Sequence, residues 1–123
     1  MYRIKIEIDS LPKSLNVKLR SHYHKNKKEN DSWDRMIYFK CLRLLPLKPL
    51  SKAKIKLIRH SNRTLDFDNC VASMKPVVDA LVSCGVLSDD SWKVLGQWEV
   101  DQVFRPQKNG CLLEIEVIEC PEN

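Results

Sequence analysis

Apolar and polar residues alternate from the start of the chain, with Tyr2, Ile4, Ile6 and Ile8 set against Arg3, Lys5, Glu7 and Asp9. A period of two puts each set on its own face, which predicts a β-strand over residues 2–9. A basic polar stretch follows. The period then changes: Trp33, Ile37, Cys41 and Leu44 recur at spacings of four, four and three, the stripe of a helix over about residues 32–45. Asn30, Asp31 or Ser32 can cap it, and Pro46 and Pro49 end it. Residues 53–58 return to a period of two, with Ala53, Ile55 and Leu57 opposed to a ladder of Lys52, Lys54 and Lys56. A second helix is predicted over about 69–84, directing Val71, Met74, Val78 and Leu81 to the core and stopped by Gly85. Pro76 kinks that helix unless the segment before it is a separate turn. Two more strands are predicted: about 94–104, with Trp98, Val100 and Phe104 on one face, and about 111–119, with Leu113, Ile115 and Val117 alternating with Glu114 and Glu116. Asn109-Gly110 marks the turn between them. The order β-α-β-α-β-β, without internal repeat, describes a mixed α+β fold, and 123 residues fit one such domain.

Composition narrows the class. Hydrophobic residues at 43% and charged residues at 30% give an ordinary globular balance, which excludes a disordered or collagen-like chain. No apolar run approaches the roughly 20 residues of a membrane span, and the N-terminal pattern is a strand rather than a signal peptide. Cys41, Cys70, Cys84, Cys111 and Cys120 are odd in number and lack CxxC spacing, so they read as free thiols in a reducing cytoplasm. Trp92 and Trp98 read as core or interface residues rather than as platforms for DNA bases.

Charge changes the picture more, because the net of +5 conceals a division. Residues 1–63 carry 17 Lys/Arg against 5 Asp/Glu, a net of +12, and residues 64–123 carry 4 against 11, a net of −7. Such asymmetry points to a polyanion at one surface and a carboxylate cluster at another. Lys13, Lys18, Arg20, Lys25, Lys27 and Lys28 follow one another with no acid between them, and His22, Tyr23 and His24 lie among them. Phosphates attract such a segment whatever the base sequence, and Arg59 and Arg63 extend the basic set toward the acidic half. A solubilising lysine-rich loop is the alternative reading of the same run. His22 and His24 form an HxH pair without a third metal ligand nearby, which favours a role in the basic loop.

The candidate chemistry lies in Leu65-Asp66-Phe67-Asp68-Asn69. In an extended chain Asp66 and Asp68 face the same side and Phe67 the other. Two converging carboxylates repel, and a divalent cation with a preference for hard oxygen donors compensates them. Asp89 or Asp90 can supply a third carboxylate if the chain folds back after Gly85, since a helix of about 16 residues spans roughly 24 Å. Helical spacing puts Asp68, Lys75 and Asp79 on one stripe, where a lysine can contact a scissile phosphate or simply pair with Asp79. Capping and turn roles for Asp66, Asp68 and Asp89-Asp90-Ser91 are the structural alternative.

Asp66-Phe67-Asp68-Asn69, then Lys75-Pro76-Val77-Val78-Asp79-Ala80-Leu81, then Gly85 and Asp89-Asp90 resemble the core signature of RusA-type Holliday-junction resolvases. The resemblance covers residues 66–90 directly and the rest of the chain through element order and length. It implies a homodimeric, Mg2+-dependent endodeoxyribonuclease, with Mn2+ as a substitute, that nicks paired strands symmetrically at a four-way DNA junction in recombination and repair. Carried over by position, Asp66, Asp68 and Asp90 would hold the metal. Well-known members place a helical lysine where this chain has Ala72, and Lys75 stands about one turn further along the same face. Lys75 would then offset charge developing on the phosphate. Such an enzyme would be cytoplasmic and nucleoid-associated, in a bacterium or a mobile element such as a phage. Three other readings stay open: a branched-DNA-binding protein that does not cut, a nuclease for another branched nucleic acid, and a small interaction protein whose acids only cap helices.

Overall fold

The computed structural model describes residues 1–14, 23–107 and 110–121, and of residues 23–25 the backbone alone. Strands β1 (Arg3–Ile8), β2 (Ala53–Ser61), β3 (Glu99–Phe104) and β4 (Leu112–Glu119) form one mixed sheet in the order β1-β4-β2-β3. The β1/β4 and β4/β2 pairs are antiparallel and the β2/β3 pair is parallel. Register brings Ile6, Ile115 and Leu57 side by side across three strands, so the alternating apolar residues merge into one inner face. Helices α1 (Tyr23–Cys41) and α3 (Lys75–Ser83) cover that face. Trp33, Ile37 and Cys41 from α1 meet Met74, Val77, Val78 and Leu81 there, all buried. The result is a two-layer α+β domain, as the period changes predict.

Four local expectations need correction. Helix α1 starts at Tyr23 rather than near residue 32 and ends at Cys41. The apolar stripe begins only at Trp33, but Lys27, Lys28 and Glu29 are good helix formers that extend the helix ahead of it, so Asn30, Asp31 and Ser32 become interior positions rather than caps. The chain leaves the helix in a turn in which the Leu44 N–H donates to the Cys41 carbonyl at 2.8 Å, and Leu44 is exposed.

The second helix is two helices, α2 (Phe67–Ser73) and α3, meeting at Met74. Pro76 falls in the first turn of α3, where its missing N–H leaves no intrahelical bond unmade. The segment before the proline is therefore the separate unit that a kink-free chain requires. Residues 94–95 belong to the short helix α4 (Trp92–Leu95), not to a strand. Gly96, at φ +59°, turns the chain from α4 toward β3. Finally, β3 and β4 are not neighbours: they flank β2 on opposite sides. Asn109 lies outside the described residues, so its part in the connection is not assigned. All five cysteines are free thiols.

The outer face of the sheet is not a lysine surface. Lys5, Glu116, Lys56 and Glu99 stand in register across the four strands, alternating in sign. Arg3 pairs with Glu116 at 2.7 Å and Lys56 with Glu99 at 3.7 Å. The basic first half and the acidic second half of the chain thus meet and partly neutralise within the sheet. Near its end, Arg105 Nε–H donates to His60 Nδ1 at 2.9 Å, which leaves Nε2–H of His60 to donate to Glu114 at 2.7 Å.

Candidate metal centre and nucleic-acid interface

The acidic segment begins where β2 ends. Gln102 of β3 clasps Leu65 through both backbone groups: its Oε1 accepts from the Leu65 N–H and its Nε2 donates to the Leu65 carbonyl, each at 2.8 Å. This fixes the residue before Asp66. Asp66 occupies the N-cap of α2 with φ −57° and ψ 148°, yet its carboxylate makes no capping hydrogen bond. Asp68 lies in the first turn, where the helix dipole favours a negative charge, and its Oδ1 accepts from the Asn69 N–H at 3.0 Å. Both carboxylates are exposed, and so is Phe67 between them. The extended arrangement expected for the pair is replaced by a helix start, because α2 begins at Phe67 rather than beyond it.

The fold-back after Gly85 does occur. Gly85 takes φ +96°, a conformation in which a side chain is strained, and the N–H groups of Val86 and Leu87 both donate to the Leu81 carbonyl, at 3.0 and 3.2 Å. Leu87 then bridges Leu50, and the Ser88 N–H donates to the Leu50 carbonyl at 3.0 Å. The returning chain brings Asp90 to the first turn of α3, where the Lys75 ammonium donates to Asp90 Oδ2 and, at 2.9 Å, to Asp79 Oδ1. The Asp90 partner, with Asp79 second, raises the Lys75 pKa, and the Lys75 ammonium lowers that of Asp90. Asp89 Oδ1 accepts from the Asp90 N–H at 2.8 Å.

Lys75 and Asp79 therefore share a face as the spacing predicts, whereas Asp68 belongs to a different helix across the Met74 break. Asp66 and Asp68 are both exposed, and Asp90 accepts from Lys75. Among the described residues no three His, Cys, Asp or Glu side chains are gathered closely enough to hold a metal ion. In kind the donors suit Mg2+: all are hard oxygens, and Asp66 is not engaged in capping.

The basic residues divide in a similar way. Lys18 and Arg20 lie outside the described residues, as does His22, and the side chains of His24 and Lys25 are not described. Lys27, Lys28 and Arg63 are exposed. Lys13 and Lys28 line a cleft of about 380 Å³ with Ser10 and Ser32, and Glu29 Oε1 accepts from the Lys13 N–H at 2.9 Å on its wall. Arg59 differs from the expectation, being only 8% exposed and on the helix-covered face. Its Nη1 donates to the Pro12 carbonyl at 3.4 Å, its Nε has no partner among the described residues, and burial lowers its pKa. Arg59 thus ties β2 to the segment after β1, and its guanidinium is not presented to a DNA arm.

One residue of the site carries no motif in the sequence, and the core reading of another is corrected. Gln102 orders the acidic segment, and a polar side chain within a strand of otherwise alternating character was its only signal. Trp92 is 75% exposed, so it is not a core residue. Its polar flanks, Ser91 and Lys93, were the available clue. No protein-family model matches the chain, and no curated protein matches it.

Proposed function

We propose that the protein is a Mg2+-dependent, structure-selective endodeoxyribonuclease that resolves four-way DNA junctions by paired nicks. The observation that carries this reading is the state of Asp66 and Asp68: two exposed carboxylates two positions apart along the chain, with no capping bond from Asp66 to account for it structurally. Asp66, Asp68 and Asp90 would hold Mg2+ or Mn2+, which when bound supplies Lewis-acid polarisation of a phosphodiester and a more acidic water. The chain's own residues do the rest. Lys75 donates to Asp90 Oδ2 and so orients it, acting as a positioning residue for that carboxylate. Gln102 holds the approach to Asp66. Lys13, Lys27, Lys28 and Arg63 neutralise phosphates of the arms. A twofold homodimer would set one such site on each of two symmetry-related strands, and the setting is cytoplasmic.

A second reading, a branched-DNA-binding protein that does not cut, is favoured by the Lys75 ammonium on Asp90 Oδ2, which competes with a metal ion for that carboxylate. One experiment decides between them: incubation of wild type and Asp68→Asn with a labelled four-way junction, and with linear duplex as control, in Mg2+, Mn2+ and EDTA. The nuclease reading expects symmetric nicks from wild type with metal only, a loss of at least about a hundredfold in Asp68→Asn, and junction binding by both proteins. Binding without nicks in any metal establishes the second reading, and no binding removes both.

A further inference from the structure

Trp92 opens helix α4 with 75% of its surface in water, whereas Trp33 is 2% exposed and Trp98 packs against the core. Beside it lies a cleft of about 490 Å³ whose walls include Lys52, Lys54, Lys93, Gly96 and Gln97. The ion pairs of the described residues engage Lys56 and Lys75, and none engages these three lysines. Glu99 is the one carboxylate among the lining residues, and Lys56 takes it at 3.7 Å. Among the described residues, the cleft therefore presents one exposed aromatic ring with three ammonium groups that no carboxylate pairs.

We propose that this cleft is a subsite for single-stranded nucleic acid, in which Trp92 stacks on an unpaired base and Lys52, Lys54 and Lys93 contact the flanking phosphates. The ligand class rests on the nucleic-acid reading above. Stacking suits any base, because every base has a π-face, and lysines beside the ring match the anions that flank each base along a strand. A membrane surface fits less well: Val94 and Leu95, the apolar residues that follow Trp92, are buried, so the ring has no exposed apolar companions on its own helix. An acidic peptide would use the lysines and leave the indole without a planar partner. Trp92 stands two residues after Asp90, the third carboxylate of the proposed nuclease site, so the subsite and that site adjoin along the chain. Branched DNA offers unpaired bases at that place, where its strands exchange.

The test is a fluorescence titration of the full chain with a short oligothymidylate in EDTA, with junction binding measured on the same preparations. Trp33 is buried and Trp98 half-buried, so quenching reports on Trp92, and Trp98→Phe serves as control. Saturable quenching is expected in wild type. Trp92→Ala should lose the quenching and bind at least tenfold more weakly, and Trp92→Phe should keep most of the affinity. Lys52→Ala and Lys93→Ala should each reduce the slope of log affinity against log salt by about 0.7. Equal oligothymidylate affinity in wild type and Trp92→Ala, with junction binding intact, overturns the subsite alone. Failure of wild type to bind either DNA overturns the subsite together with the nucleic-acid reading.

Discussion

Lys54 and Lys56 stand two residues apart on β2 and leave the sheet on the same side, but their surroundings differ. Lys56 is in register with Glu116 of β4 and Glu99 of β3, so a carboxylate flanks it on each side. Lys54 is in register with Ile118, and β3 does not reach it because that strand begins at Glu99. Where the sheet has all four strands, the acidic second half of the chain neutralises the basic first half. Where β3 stops, Lys52 and Lys54 have no ion pair among the described residues, and the Trp92 cleft begins. Net charge read along the sequence cannot separate these regions, since it does not show which charges the topology spends on each other.

That contrast can be broken most severely by Ile118→Glu, which places a carboxylate in register between Arg3 and Lys54. Ile118 is half-buried on the outer face, so the fold should survive, and oligothymidylate affinity should drop at least tenfold in the same titration. A smaller effect sharpens it: Lys54→Ala should weaken binding about threefold and reduce the salt slope by about 0.7, while the double variant Lys56→Ala/Glu99→Gln, which removes a pair that already neutralises itself, leaves both unchanged.

Smaller still is Arg3→Ala. Arg3 holds the Glu116 pKa below its ordinary 4.5, so the contribution to stability is present above that pH and is lost as pH falls through the lowered value. Urea melts should show the variant less stable by about 0.5 kcal/mol at neutral pH, with the gap closing in acid below pH 4.5. The smallest effect is on Lys56→Ala in the same melts. Its pair with Glu99 is 3.7 Å long and exposed at both ends, which predicts a change under about 0.3 kcal/mol.

The strands were legible in the sequence because alternation is local: Ile4, Ile6 and Ile8, or Leu113, Ile115 and Val117, declare an inner face without reference to any partner. The start of α1 was not, since Lys27 and Lys28 extend a helix without entering the core and leave no apolar mark. The break at Met74 was half legible, through Pro76. For the candidate site the residues could be named but not arranged. Asp66 and Asp68 stand out by composition, yet whether the chain there is extended or helical depends on where α2 begins, which is decided by packing of Cys70 and Met74 beneath it. The return of Asp90 to Lys75 depends on Leu87 finding Leu50, a contact between distant segments. Arg59 was misplaced for a related reason: a charged residue at an inward strand position reads as exposed until a neighbouring carbonyl, here that of Pro12, is known to receive it.

The position of β4 in the sheet also bears on how the protein is made. β4 is the last of the four strands to leave the ribosome, yet it lies between β1 and β2 and pairs with both. Until it emerges, β1 has no strand to bond, and Ile4, Ile6 and Ile8 remain uncovered beside a growing chain. The nascent protein therefore cannot assemble strand by strand in the order of synthesis, and closure waits for a segment far from its partner, as in Arg3 against Ile118. Loops of that span make for slow folding, so the interval between the emergence of β1 and its pairing with β4 is when this chain is most exposed to proteases and most in need of chaperones.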